Sequence, residues 1–362
     1  ADGMIPSAGR ALGVEPELTA GAWTDTPRDR EWMAPGDASL YASIDGFHAP
    51  PASVRGDSTW AEWHYFNILL PDGWLYLTYM IAGDVPEGRW GGRMLGTRVL
   101  GDGELVYEAT YEPGDVDFAP GRADLRIGPS SVRIDPDGVY RVQAEIPPAD
   151  GGADGARALV VDLAIAAPVR KYLPPVDLGG SDFASGYVVP LLDARASGRV
   201  CRGTGCRTIE GARAYHDHNW GVWRDVTWEW GQANFASGLS LLYGVVIRDA
   251  VPAGSGFAYL FDDEGFAAVL PLDSVEWRWS DAGRGPRPER MALLATRGRD
   301  TLRLTVEVEH ARATVVGDGP GDARSVFHQL RGSARATVSL EGTRRAAEGE
   351  GFFETWSARP PE

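Results

Sequence analysis

The residues best suited to chemistry in this chain of 362 residues are crowded into one short stretch. Residues 214–221 read Ala-Tyr-His-Asp-His-Asn-Trp-Gly, and residues 226–231 read Val-Thr-Trp-Glu-Trp-Gly. A carboxyl group among indole and imidazole rings is expected to have a raised pKa, because an apolar environment penalises the charged form. Aromatic faces nearby can also stabilise a cation. The combination suits proton-initiated chemistry on a hydrophobic molecule, and it equally suits a tight structural turn.

Asp217 is the candidate catalytic acid of this stretch. Protonating an unactivated alkene needs an acid that keeps its proton at the working pH, and a buried carboxyl group meets that need. Tyr215 shares the face of Asp217 if the segment is extended, so Tyr215 is the candidate partner that orients the carboxyl. The structural alternative is that Asp217 caps a turn through backbone N–H groups, supported by Asn219. The sequence leaves both interpretations open.

Further candidate residues are expected to line a substrate pocket around this acid. They are Glu62, His64, His218, Asn219, Trp220, Trp228, Trp230 and Asn234, with Trp223 as one more aromatic candidate for shielding a carbocation. His216 and His218 face away from Asp217 in an extended strand. With a third ligand such as His64 or Glu229 they could bind zinc, but no spacing fixes that ligand, so hydrogen-bonded histidines are favoured. We therefore expect no metal and no other cofactor.

The overall charge and the cysteines limit the partners and the compartment. The formal net charge of −16 argues against nucleic acid or an anionic membrane surface, so the expected partner is a hydrophobic small molecule. No apolar run has transmembrane length, while peripheral membrane contact and the oligomeric state stay open. Cys201 and Cys206 enclose two glycines and can form a hairpin disulfide or remain thiols. A cytoplasmic location is favoured, and export is the alternative if the disulfide forms.

The elements that must position these residues are predicted to be β-strands. Short segments rich in Val, Leu, Tyr and Trp alternate with Asp-Gly, Pro-Asp-Gly and Gly-Asp-Gly breaks, which is typical of β-hairpins. Residues 301–309 and 334–340 alternate strictly between apolar and polar, as strands with one solvated face do. A turn at residues 72–73 would place Glu62 and His64 on one strand face and Tyr65 and Asn67 on the other.

A faint internal repeat predicts two similar β-domains. An offset of 165 residues aligns the turn glycines Gly73 and Gly238. We expect the domains to divide in the loop-like segment 174–198, which gives an extended arm at 1–37 and β-domains at 38–185 and 186–362. The offset superposes three pairs without a gap: Trp63 on Trp228, His64 on Glu229 and Tyr65 on Trp230.

The Tyr-His-Asp-His-Asn-Trp-Gly stretch at 215–221, the Trp-Glu-Trp strand after it and the Trp-Ala-Glu-Trp-His-Tyr strand at 60–65 resemble the AttH-type, carotenoid 1,2-hydratase-like group. The resemblance extends from about residue 38 to residue 357. It implies two tandem lipocalin-like antiparallel β-barrel or sandwich domains, with a ligand space in or between them. It also implies activities such as hydration of terminal isoprenoid double bonds and polyene cyclisations, including Diels–Alder reactions. The catalytic Tyr-x-Asp pair of the hydratases is matched by Tyr215 and Asp217.

Three functional hypotheses follow. The first is a cofactor-independent hydratase or cyclase in which Asp217 protonates a C=C bond of a hydrophobic polyene or terpenoid. The second is a Diels–Alderase-type pericyclase, whose pocket folds a linear polyene while donors such as Tyr215 or His64 polarise the dienophile. The third is a non-catalytic binder of lipophilic molecules.

Overall fold

The computed structural model is an all-β protein, as the sequence predicts, and it divides into two compact units with a boundary between Arg224 and Asp225. The predicted N-terminal arm, residues 1–37, lies outside the described residues. No helix in the described part of the chain has the length and apolar character needed to cross a membrane. The residues that the structure describes are 45–48, 60–84, 88–101, 103–119, 122–150, 157–168, 171, 173–179, 184–222, 226–248, 251–252, 256–281, 286–316 and 325–358.

The described residues of the first unit form one antiparallel sheet of twelve strands and a 3-10 turn at Pro113–Asp115. Its strands are β1 (Trp60–Leu70), β2 (Gly73–Asp84), β3 (Arg89–Leu100), β4 (Gly103–Tyr111), β5 (Val116–Phe118), β6 (Asp124–Ile127), β7 (Ser130–Ile134), β8 (Tyr140–Ile146), β9 (Leu159–Ala166), β10 (Leu173–Gly179), β11 (Ala184–Arg202) and β12 (Gly205–Val222). Their order is β4-β3-β2-β1-β12-β11-β9-β8-β7-β6-β5, and β10 pairs with β11 beside this path.

The second unit contains nine strands, and eight of them form a closed antiparallel ring. The strands are β13 (Val226–Phe235), β14 (Ser240–Arg248), β15 (Val251–Pro252), β16 (Phe257–Asp262), β17 (Gly265–Asp281), β18 (Pro286–Arg297), β19 (Asp300–Val316), β20 (Ser325–Leu340) and β21 (Thr343–Ala358). The order β13-β21-β20-β19-β18-β17-β16-β14 closes through pairing of β13 with β14, while β15 extends from β14. Eight antiparallel strands are the number found in lipocalin-type barrels.

Alternation of apolar and polar residues explains where each core lies. The predicted strands at 301–309 and 334–340 fall in β19 and β20, where Leu302, Leu304 and Val306 are buried and the residues between them are more exposed. Strands β8 and β9 of the first unit show the same pattern. Each buried Leu, Ile or Val stabilises the fold by about 1.5–3 kcal/mol, so both units are held by the inward faces of their own strands.

The β1–β2 hairpin sets the register of the first unit. Its two turn residues are Pro71 and Asp72, one residue earlier than the predicted turn at 72–73, because Leu70 pairs with Gly73. The shift leaves the face assignment unchanged, because it moves the partner of His64 by two residues, from Ile81 to Tyr79. Gly73 has a φ of +139°, and a Cβ there would lie 1.8 Å from the carbonyl oxygen of Val99. Only glycine fits this position.

The division between the units falls later in the chain than the predicted boundary at 185/186. Segment 174–198 looks loop-like in sequence because of its glycines and prolines, yet its described residues form β10 and most of β11. Strand β11 then turns into β12, and β12 pairs with β1. Because these long-range pairings hold β11 and β12 in the first sheet, the units separate after Val222 and before Val226.

Cys201 and Cys206 are joined by a disulfide, one of the two states that the sequence leaves open. They lie directly opposite each other at the tip of the β11–β12 hairpin. The bridge therefore links the ends of two adjacent strands of the first sheet.

Candidate active site

The two faces of β12 carry two different groups of polar residues. β12 lies between β1 and β11 near the middle of the first sheet. Since successive residues of a strand point to opposite faces, His216 and His218 lie on the face of the first core, whereas Tyr215, Asp217 and Asn219 lie on the other face. As predicted, the two histidines therefore lie on the opposite face of the strand from Asp217.

Asp217 is a buried carboxyl group with a raised pKa. Its side chain is 5% exposed, and burial raises its pKa to about 6 in spite of hydrogen bonds from Tyr215 and Asn219 and the charges of His216 and His218. Asn219 Nδ2 donates to Asp217 Oδ1 across 2.6 Å. Asp217 lies inside β12 and caps no turn, although Asn219 supports it as the structural interpretation expects. Asp217 thus holds a proton at a higher pH than an ordinary aspartate does.

Aromatic and amide side chains surround Asp217 on its own face of the sheet. Tyr65 lies opposite Asp217 in the β1–β12 register, and Asn67 lies opposite Tyr215. The Tyr65 ring stacks with Tyr76 at 6.3 Å and meets Tyr215 edge-on at 6.4 Å. Asn67 is almost completely buried, and its Nδ2 has no hydrogen-bond partner among the described residues. Strand parity predicts that Tyr65 and Asn67 share this face, but no pattern in the sequence marks them as site residues.

The core-facing side of the same strands holds a network centred on Asp45. Asp45 is fully buried and accepts a hydrogen bond from Tyr140 Oη at 2.7 Å. Its two oxygens also contact His216 Nε2 at 2.9 Å and His218 Nδ1 at 2.8 Å. Burial would raise the pKa of Asp45, but the charges of His216 and His64, with the histidine hydrogen bonds, hold it well below the usual value. No local pattern in the sequence marks Asp45 as a functional residue, because its partners lie far along the chain.

His218 bridges the two buried carboxylates of this network. Its Nδ1 contacts Asp45, and its Nε2 lies 2.7 Å from Glu62 Oε1. Burial lowers the pKa of His218, but the hydrogen bonds and charges of Asp45 and Glu62 outweigh that effect and raise it to about 9. Glu62 also accepts the backbone N–H of His48, and these bonds lower its pKa against the effect of burial. His64 is buried in the same network with its pKa lowered.

The predicted pocket residues therefore do not form one group. Glu62, His64 and His218 lie on the core face, across the thickness of the sheet from Asp217. Trp220 is also on the core face, where its ring stacks on His48 at 3.5 Å. These residues are divided between two faces because side chains alternate along a strand, so neighbours in sequence such as Asp217 and His218 point to opposite faces.

Two sets of side chains in the network have the composition of metal ligands. Asp45, His64 and His216 bring ligand atoms within 4.8 Å of one another, and so do His48, Glu62 and His218. In the hydrogen-bonded arrangement, however, both nitrogens of His218 are already occupied by carboxylates. The favoured interpretation, hydrogen-bonded structural histidines, accounts for these distances. A recess of about 10 Å³ beside Glu62 and His64 has room for about one water molecule and for no substrate.

The remaining predicted residues belong to the second unit. Trp228 Nε1 donates to Glu354 Oε2 at 2.6 Å, and its ring packs edge-on against Trp356. Trp230 and Asn234 are buried on the same strand face, and Asn234 Nδ2 donates to Gln232 at 3.3 Å. Trp223 lies outside the described residues.

Glu229 lies on the inward face of β13, at the repeat position that matches His64. It accepts hydrogen bonds from Thr355 Oγ1 at 2.6 Å and from Trp277 Nε1 at 2.8 Å. Burial raises its pKa to about 7 against these two bonds. Both β-units therefore carry an ionisable group at the same position of their first hairpin, His64 buried and Glu229 half-buried.

Replacing Glu229 with glutamine is expected to reduce the change in the free energy of unfolding with pH. Because the folded pKa exceeds the unfolded value of 4.5, the folded state holds a proton that the unfolded state releases. The Glu229 contribution to the free energy of unfolding should fall by about 3 kcal/mol as pH rises from 4.5 through 7, so Glu229→Gln should lose less stability than the wild type. Urea unfolding at pH 5 and pH 8 measures this, with the exposed Glu264→Gln as control. An equal loss in both proteins would contradict the prediction.

Comparison with known proteins supports the fold. No family model matches the sequence, and no curated protein matches it. Among solved structures, the chain is similar to a candidate AttH (NE1406) from Nitrosomonas europaea, with TM-score 0.55 and 16% identity over 89% of this chain and 98% of that one. It is similar to kievitone hydratase from Nectria haematococca, with TM-score 0.51 and 14% identity over 87% and 94%. It is also similar to CghA with Sch210972, with TM-score 0.53 and 13% identity over 88% and 95%. The predicted resemblance to the AttH-type group is confirmed for the fold.

Proposed function

We propose that the protein is a cofactor-independent enzyme that protonates a C=C bond of a hydrophobic polyene or terpenoid and so hydrates or cyclises it. The observation that carries the proposal is the buried Asp217 carboxyl, whose pKa is raised to about 6 beside the Tyr215 hydroxyl. A carboxylic acid that keeps its proton near neutral pH in an aromatic environment is the general acid that alkene protonation needs. The similarity to a fold that carries a hydratase in Nectria haematococca is consistent with this proposal.

The geometry suggests a role for each neighbour of Asp217. Asn219 Nδ2 donates to Oδ1, so the acidic proton belongs on Oδ2. That proton passes to one alkene carbon, leaving a carbocation on the adjacent carbon and a carboxylate on Asp217. The Tyr65 ring lies opposite Asp217 and stabilises the cation by about 0.5–2 kcal/mol. In a hydration, water adds to the cation and returns a proton to Asp217. In a cyclisation, a second double bond adds, and loss of a proton from the product restores the acid.

The rate is expected to fall as pH rises through about 6. The protonated form of Asp217 is the active one, and its raised pKa sets the point at which that form is lost. We expect kcat at saturating substrate to be constant at lower pH and to decrease about tenfold per pH unit well above 6. A pH–rate profile from 4.5 to 8.5 measures this. A rate that increases through pH 6 would assign Asp217 the role of a base instead.

One observation favours the pericyclase as a second candidate. The Nδ2 group of Asn67 is a buried donor with no partner among the described residues, and Asn67 lies opposite Tyr215 in the sheet. The Asn67 amide suits a carbonyl group of a dienophile, which its hydrogen bond would polarise, whereas the Tyr215 hydroxyl already donates to Asp217. His64, the other predicted donor for this reaction, lies on the opposite face and does not fit this role.

A substrate panel tests the proposal and separates these candidates. The purified protein is incubated with linear isoprenoids and with polyene tetramic acid or polyketide substrates, and the products are identified by mass spectrometry. A product heavier by one water, or an isomer whose formation requires Asp217, supports the protonating enzyme. An isomer formed by Asp217→Asn but reduced in Asn67→Ala indicates the pericyclase. Bound substrate returned unchanged indicates a binding protein and contradicts the proposal.

A further inference from the structure

A recess at the hairpin end of the first sheet lies apart from Asp217. It has a volume of about 280 Å³, near the lower end of the range for small-molecule sites. The β1–β2 turn, the β3–β4 hairpin and the β11–β12 hairpin with its disulfide form the walls. Apolar side chains cover much of the interior, including Leu70, Leu105, Leu159 and Val200.

Three arginines share this recess with the apolar residues. Arg98 follows Gly96 on β3 with the same parity, and a Cβ at Gly96 would meet Leu159 and Ile146 of the core. Arg98 therefore lies on the inward face, opposite Leu105. By the same register argument, Arg207 pairs with the buried Val200 and Arg202 pairs with the buried Leu159. Positions that are apolar elsewhere in the core thus carry guanidinium groups at this end of the sheet.

The positive charges exceed the negative charge that faces them. Asp72 Oδ1 accepts hydrogen bonds from Arg98 Nη2 at 2.9 Å and contacts Arg207 Nη1 at 3.2 Å. Burial would raise the pKa of Asp72, but these arginines outweigh it and lower the pKa. Asp72 is the one acidic residue among those lining the recess, against Arg98, Arg202 and Arg207.

Arg98 carries a buried donor without a partner in the wall of the recess. Its side chain is 10% exposed, and its Nη1 atom is buried without a hydrogen-bond partner among the described residues. Leaving a buried charged donor unsatisfied is unfavourable, so such a group is expected to receive an acceptor from a ligand. An anionic group placed there would gain a charge-assisted hydrogen bond from Arg98.

We infer that this recess binds a small amphipathic carboxylate, with its head group on Arg98 and its hydrocarbon chain on Leu70, Leu105 and Leu159. The single carboxylate is favoured over a doubly charged phosphate because Asp72 already lies beside the same guanidinium and repels added negative charge. The apolar lining favours a short alkyl chain over a fully polar anion. The inference is independent of the reaction proposed for Asp217.

Calorimetric titration with decanoate tests this inference on the whole protein. We expect saturable binding of one equivalent, and about tenfold weaker binding of decanol, which lacks the charge. Arg98→Gln should weaken decanoate binding about tenfold or more, whereas Arg93→Gln should not change it, because Arg93 lies on the same strand but pairs with Glu108 outside the recess. Equal affinity of the wild type and Arg98→Gln, or no saturable binding to the wild type, would overturn the inference.

A second variant keeps the test decisive if Arg98→Gln does not fold. Leu105→Trp fills the recess and leaves the three arginines in place. Loss of decanoate binding by this variant, with an unchanged thermal midpoint, supports the recess as the site. Decanoate binding that survives Leu105→Trp would place the ligand elsewhere and overturn the inference.

Discussion

Replacing Asp217 with asparagine is expected to lower kcat about 10²–10⁴-fold while the first sheet stays folded. The amide cannot deliver a proton, but it occupies the same volume, and its oxygen still accepts the hydrogen bond from Asn219 Nδ2. The measurement is the turnover of a polyene that the wild type converts. Glu210→Gln is the matched control, since it makes the same chemical change at an exposed position of β12.

The stability of the Asp217→Asn variant separates a catalytic role from a structural one. The folded pKa of about 6 exceeds the ordinary value of 3.8, so the folded state holds a proton that the unfolded state releases. Wild-type stability should therefore decrease by about 2–3 kcal/mol as pH rises from 3.8 through 6, and the variant should escape this loss. A variant that unfolds at pH 8 would support the structural role. A variant that keeps most of its turnover would favour the pericyclase.

The second large effect is expected from Asp45→Asn, which should destabilise the first unit by about 3–5 kcal/mol. Asp45 is the carboxylate that faces His216, His218 and Tyr140 in the core. Its removal leaves the positive charge of His218 buried with Glu62 as its remaining carboxylate. Urea unfolding at pH 6.5 measures the change, and the exposed Asp162→Asn is the control on β9. A loss below about 1 kcal/mol would contradict the role of the network in stability.

The pH dependence of this difference provides a further test. The folded pKa of His218, about 9, lies above its ordinary value of 6.5, so its contribution is complete below 6.5 and is lost as pH rises through 9. The pKa of Asp45 is lowered, so its contribution is present above 3.8 and is lost as pH falls through the folded value. The difference between wild type and Asp45→Asn should therefore be largest between pH 4 and 6.5 and should shrink by pH 9. A difference that grows above pH 7 would contradict this assignment.

The sequence was sufficient to predict the local architecture. Turn residues and strict alternation located β1, β2, β19 and β20, because a two-residue period depends on neighbours alone. The same period placed Asp217 and Tyr215 on one face and His216 on the other. The fold class followed from these local patterns, since hairpins with one apolar face must close into barrels or sandwiches to bury that face.

What the sequence could not predict depends on contacts between distant residues. Asp45 contacts His216 and His218 from the opposite end of the first unit, and nothing near Asp45 in sequence marks it. Strand β11 looked like a loop because its glycines and prolines weaken a strand in isolation, whereas pairing with β9, β10 and β12 stabilises it in the fold. The alternation of side chains along a strand is enough to predict that the candidate site residues are divided between two faces. The raised pKa of Asp217 agrees with the expectation from the sequence.

The most direct test of the account is deuterium incorporation during turnover in D₂O. If Asp217 protonates a C=C bond, its exchangeable proton is deuterium in this solvent, and each product molecule should carry one C–D bond that forms only with active enzyme. Mass spectrometry of the product detects it, and Asp217→Asn should give none above background. A product isomerised by the wild type without deuterium in any C–H position would contradict proton-initiated chemistry.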